Sequence, residues 1–175
     1  VLERVQHAAL AELRRRERLA EAKHVGEVVD AQRRGDRRFL RASSRLARLG
    51  PVMQLAWLPE DFDAALEHWT KTMGVGPFFI MENIALADMR YMGQPTDAVF
   101  TLALSYWGDV QIELIRPEND APSIYNGPYA VRDRMHHVCL LVDDIADGYA
   151  ACAEHGAKIL VEGKVGDSGG VIYAD

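Results

Sequence analysis

From residue 51 onward, apolar positions gather into runs of strand length, and two of these runs open units that repeat one another. Shifting the chain on itself by 83 residues lays QLAWLPEDFDAALEHW over HVCLLVDDIADGYAAC and superposes Gln54 on His137. Each copy begins with a strand-like run, 52–58 in the first and 135–142 in the second. An acidic pair follows each run, Glu60-Asp61 and Asp143-Asp144, suited to cap a helix and to face its positive end. Apolar residues then recur three or four apart, as Phe62, Ala65, Leu66 and Trp69 in one copy and Ile145, Tyr149 and Cys152 in the other. Gly74 and Gly156 end the two helices.

Three further strands are expected after the first helix, at 76–83, 98–106 and 110–116, the last two joined by a tight turn at Gly108-Asp109. The first copy therefore reads βαβββ. The second reads β (135–142), α (144–155), β (157–162) and β (about 170–174), and the chain stops at Asp175. The expected fold is α+β: two βαβββ modules, the second without its last strand, forming a half-open mixed sheet around a cleft. Val1 at the start and a strand at the end suggest that the natural protein continues at both ends.

The first fifty residues follow another pattern. Segment 2–24 has high helix propensity, Gly35-Asp36 breaks it, and a second helix carries Phe39, Leu40, Leu46 and Ala47 before Gly50-Pro51 ends it. Charge changes sign at the same place: residues 1–50 hold 13 Lys/Arg against 7 Asp/Glu, residues 51–175 hold 7 against 19. This divides the chain into a basic helical extension, 1–50, and an acidic domain, 51–175, with module one at 51–120 and module two at 133–175. The cluster Arg14-Arg15-Arg16-Glu17-Arg18 lacks interleaved aromatics and is mixed with acidic residues, which argues against nucleic acid as a partner. No apolar run approaches the roughly 18 residues of a membrane span. Cys139 and Cys152 lack metal or redox spacing. A cytoplasmic location is expected.

Within the acidic domain, VMQLAWLPEDFDAALEHW resembles the opening strand and helix of methylmalonyl-CoA epimerases and glyoxalase-like proteins of the vicinal-oxygen-chelate superfamily. GDVQIELIRP resembles that group's fourth-strand segment, and MHHVCLLVDDI its second-module opening. The resemblance spans residues 51–175 and implies a divalent metal site built from the first and fourth strands of each module. Carried over, it makes Gln54, Glu113 and His137 the ligands, with His136 directed to the opposite face; the fourth ligand, a glutamate that doubles as base in glyoxalases, has its place beyond Asp175. Strand alternation agrees, because it lets Gln54 and Glu113 face one cavity while Leu55 and Leu114 face the helices. Oxygen and imidazole donors suit Co, Mn, Ni, Fe or Zn.

The function this implies is a lyase or isomerase of the epimerase/glyoxalase type, acting on a carbonyl-bearing small molecule through a metal-stabilised enolate. The alternative is a metal-free small-molecule-binding protein of the bleomycin-resistance kind. A ring-cleaving dioxygenase is disfavoured because Gln54 stands where those proteins carry histidine. Trp57 and Tyr106, on strands, and Tyr91 and Gln94, in a loop expected to cover the pocket, are candidate substrate contacts. The same loop holds Asp88, and no residue is singled out as general base. The whole protein is expected to be an enzyme, the chain as written to lack a complete site, and a homodimer partner is one way to cover its open sheet edge.

Overall fold

The computed structural model describes residues 49–175 with the exception of Ser168. The helices expected within 1–48 lie outside the described residues. Both predicted helix starts form as expected. α1 (Phe62–Glu67) is capped by Asp61, whose side chain accepts from the Ala64 amide, and α2 (Ile145–His155) by Asp144, which accepts from the Ala146 amide. α1 runs on into a π-helical turn, His68–Thr72, before Gly74 reverses the chain at φ 67°. α2 ends on Gly156 at φ 66°, the left-handed conformation that glycine adopts without a Cβ clash.

Among the described residues, nine strands accompany these helices: β1 (Val52–Trp57), β2 (Phe79–Ile84), β3 (Ala87–Tyr91), β4 (Gln94–Pro95), β5 (Phe100–Trp107), β6 (Val110–Pro117), β7 (Met135–Leu140), β8 (Ile159–Val165) and β9 (Gly169–Ala174). They form a five-stranded sheet in the order β2-β5-β6-β1-β7 and a four-stranded sheet in the order β4-β3-β8-β9. The fold is α+β with a βαβββ first module. Its strands divide between two sheets, where a single half-open one was expected. The second sheet is made of β8 and β9 together with a hairpin inserted into the first module. Residues 87–95 are not a loop over the pocket: β3 and β4 pair across Met92-Gly93, both at positive φ, and β3 hydrogen-bonds to β8 of the second module. Two consecutive positive-φ residues give the twist that a two-residue hairpin needs.

β1 is the strand on which the two modules meet. It runs parallel to β6, with Gln54 opposite Gln111 and Ala56 opposite Glu113, and antiparallel to β7, with Gln54 opposite Cys139 and Ala56 opposite His137. The 83-residue shift turns 54 and 56 into 137 and 139, so this pairing is what a local two-fold axis between the repeats produces. Alternation then sorts the side chains. One face of the five-stranded sheet sends Ala56, Leu58, Phe100 and Ile115 into a core shared with Met89, Leu160 and Val161 of the other sheet. The opposite face carries Leu114, Ala103 and Trp57 against Phe62, Leu66 and Trp69 of the α1 region. In the second module α2 closes on β9 at Gly148, where a Cβ would lie 3.1 Å from the Ile172 side chain.

The connection between the modules is held rather than loose. Asn119 accepts from the Val99 amide and donates to the Asp97 carbonyl, and Asn126 donates to the carbonyls of Asn119 and Ala121. These bonds bury Ile124 and Tyr125 in the core beneath β7. Among the described residues β7 pairs with β1 alone and β9 with β8 alone, so each ends its sheet.

Removing the Asp144 cap by Asp144→Ala is expected to lower the unfolding free energy in urea by about 1 kcal/mol. An unchanged midpoint would show that the bond to Ala146 contributes nothing to stability.

Candidate metal centre

The double register of β1 puts Glu113 and His137 in one row, on either side of Ala56. Their backbones stand two strand spacings apart, roughly 9–10 Å. A glutamate and an imidazole reach across that distance in front of the alanine methyl. His137 Nε2 comes to 3.4 Å from Glu113 Oε2, with the side chains 13% and 6% exposed. Neither of these two buried atoms has a hydrogen-bond partner. The separation meets the distance limit for an ion pair, but no hydrogen bond closes it. A carboxylate oxygen only accepts, and an imidazole bare at Nε2 likewise only accepts, so in that tautomer the two facing atoms are donors a cation could share.

The surroundings register the same charge. Burial, then the Glu113 carboxylate, pushes the Cys139 thiol up to about 11. Burial, followed by Glu113, raises the Tyr173 phenol well above its usual range, and burial raises Tyr125 with smaller contributions from Tyr173 and Glu113. The two phenols touch, oxygen to oxygen, at 3.3 Å. Burial holds the His136 imidazole below its ordinary value and His137 adds to this, against the carbonyls of Ile124 and Tyr129 and the Glu113 charge. Four side chains therefore feel one buried carboxylate.

Gln54 lies one row away. Its amide nitrogen donates to Gln111 Oε1 at 2.8 Å, and Gln111 in turn donates to the Tyr106 hydroxyl at 3.1 Å. The Gln54 nitrogen is thus committed, which leaves the amide oxygen as the group it can offer a cation. Tyr106, at the half-open end of β5, joins the site through this relay, and its hydroxyl is raised by burial against the opposing Gln111 bond.

The other expected contacts fall elsewhere. Trp57 is on the α1 side of the sheet, ring to ring with Trp69 at 5.1 Å, and lines a cavity of about 260 Å³ with Pro59, His68, Trp69 and Asp133. It does not share the face of Gln54. Tyr91 packs at the border of the core from β3, and Gln94 is exposed on the edge strand β4, so neither sits in a covering loop. Asp88 is paired with Lys164 at the surface, which lowers its carboxyl. His136 also departs from expectation. A β-bulge gives β7 one extra residue against Ala56-Trp57, and His136 turns toward His137, Nδ1 to Nδ1 at 3.0 Å. Sequence reasoning passed over Tyr125, Tyr173 and this contact. A bulge leaves no mark in an alternating pattern, and nothing in VIYAD distinguishes a tyrosine beside a carboxylate from a packing residue.

A divalent ion fits what is present. The Glu113–His137 gap suits two donors sharing one ion at roughly 2.1 Å each, and one oxygen with one imidazole suits an intermediate metal. The donor set is short, since among the described residues no group of three His, Cys, Asp or Glu side chains converges. Glu113→Gln tests whether the gap costs stability. A glutamine amide can donate to the bare His137 nitrogen, so the metal-free variant is expected to be about 1 kcal/mol more stable than the parent in urea. A less stable variant would show that a proton already closes the pair.

The family model described as the Glyoxalase/Bleomycin resistance protein/Dioxygenase superfamily matches residues 53–174. Among solved structures, a crystal structure of selenomethionine methylmalonyl-CoA epimerase is similar with a TM-score of 0.44 and 22% identity, over 70% of this chain and 84% of that one. No curated protein matches.

Proposed function

The chain belongs to the Glyoxalase/Bleomycin resistance protein/Dioxygenase superfamily, and on that premise we propose that it is the metal-binding domain of an isomerase or lyase of the epimerase/glyoxalase type, acting on a carbonyl-bearing small molecule. One observation carries the reading: the buried, unpartnered atoms of Glu113 and His137 that face each other across Ala56. Unsatisfied buried polar atoms are costly, and a pair of them aimed at one point is hard to explain as packing. Glu113 and His137 would hold the ion, and the Gln54 oxygen is a further donor on the same face. When bound, the ion supplies Lewis-acid stabilisation of negative charge on a carbonyl oxygen, which is what makes an adjacent carbon acidic.

The chain's own residues shape the rest. Ala56 keeps the space before the ligands open. Leu58, Phe100 and Ile115 make the floor apolar and keep water from the buried ends of Glu113 and His137. The Gln54–Gln111–Tyr106 relay carries polar groups from the ligand row to the exposed end of β5, where a substrate would enter. Cys139, its thiol raised, is held neutral and acts as a small apolar filler.

The short donor set favours one other reading, a metal-free protein that sequesters a small molecule. Metal analysis separates the two. After equilibration with Co(II) and desalting, the protein is expected to retain the ion, with affinity falling at least about tenfold in Glu113→Ala and in His137→Ala. Equal retention by all three proteins, or none by the parent, would defeat the metal reading.

A further inference from the structure

We propose that His136 is a positioning residue: bulged out of β7, it fixes His137 in the tautomer whose Nε2 lone pair faces Glu113. The purpose assigned to that tautomer, receiving a cation, rests on the function proposed above. The geometry stands without it.

Three contacts place the hydrogens. His136 Nε2 lies 3.2 Å from the Ile124 carbonyl oxygen, which can only accept, so this nitrogen carries a hydrogen. Neutral His136 then has a bare Nδ1. That atom is 3.0 Å from His137 Nδ1, and two nitrogens so close share one hydrogen, which must come from His137. Neutral His137 is left bare at Nε2, the atom directed at Glu113 Oε2. The opposite placement, with His136 charged and a hydrogen on His137 Nε2, would aim a donor at Glu113; the 3.4 Å gap without a hydrogen bond speaks against it.

Every part of this chain is held. The bulge supplies the extra residue that lets two successive side chains meet rather than alternate. Asn119 and Asn126 lock the connection that presents the Ile124 carbonyl. Tyr125 tilts against His136 with ring centroids 5.6 Å apart, and Tyr173 stands edge-on to His137 at 4.9 Å, so each imidazole is packed against a phenol ring. An imidazole that donates its second nitrogen to a fixed acceptor is the usual way a metal-binding histidine is oriented. Here the acceptor is the neighbouring residue of the same strand, itself anchored to the backbone.

The test is the two-bond ¹H–¹⁵N spectrum of histidine-labelled, metal-free protein, with Co(II) affinity measured beside it. The parent is expected to show His137 protonated at Nδ1 and bare at Nε2, and His136 the reverse. In His136→Phe, which keeps a ring but no nitrogen, His137 should become a mixture of tautomers and Co(II) affinity should fall about 10- to 100-fold. His136→Gln, whose amide can both accept from His137 and donate to Ile124, should restore part of both. A parent His137 with its hydrogen on Nε2, or an unchanged single tautomer in His136→Phe, overturns the proposal. If His136→Phe does not fold, the parent spectrum alone decides. The expected tautomers in a parent that does not bind Co(II) would uphold the positioning role and defeat the metal reading.

Discussion

β1 is hydrogen-bonded on both sides to strands of different sense, parallel to β6 and antiparallel to β7, and the site follows from that double register. A slip of one residue on either side would turn Glu113 or His137 to the opposite face. The register is fixed because each face has somewhere to go: Leu114, Ala103 and Trp57 against α1, Leu58, Phe100 and Ile115 against the second sheet. Apolar burial on both sides of a central strand thus determines where two polar atoms meet. Ala56, between them and fully buried, is as much a part of the site as its neighbours, because any longer side chain there would fill the gap.

That gap runs against the interest of the fold. A carboxylate oxygen and an imidazole nitrogen, both buried, would ordinarily each be matched by a donor. Instead neither atom has a partner: Cys139, Tyr125 and Tyr173 stand around the carboxylate as weaker acids than usual, and His136 takes up the other end of the His137 ring. Local rules broken in a well-packed interior mark the places where a protein has been shaped by something other than its own stability. The strain here is electrostatic, and a cation is the simplest thing that removes it.

Much of this was legible in the chain, for physical reasons that differ by residue. Asp61, Asp144, Gly74 and Gly156 are read correctly because capping and left-handed turns depend on local chemistry. Gln54, Glu113 and His137 share one face because strand alternation and the internal repeat are both properties of sequence spacing. The β3–β4 hairpin was hidden, since Tyr91-Met92-Gly93-Gln94 lacks the Asn-Gly type of turn signal and its partner β8 is some seventy residues away. Trp57 does line a cavity, but on the α1 side of the sheet, because alternation says which residues share a face but not which face a ligand would use. His136 was misread for the opposite reason: the bulge suspends alternation at the one position where it matters most.

The proposed cation site lies in front of Ala56, between Glu113 and His137. Crystals grown with Co(II) and measured at the cobalt edge test it most directly. The account predicts an anomalous peak in front of Ala56, within about 2.1 Å of both Glu113 Oε2 and His137 Nε2. A peak on other side chains, or Glu113 and His137 hydrogen-bonded to each other with no peak at saturating cobalt, would contradict it.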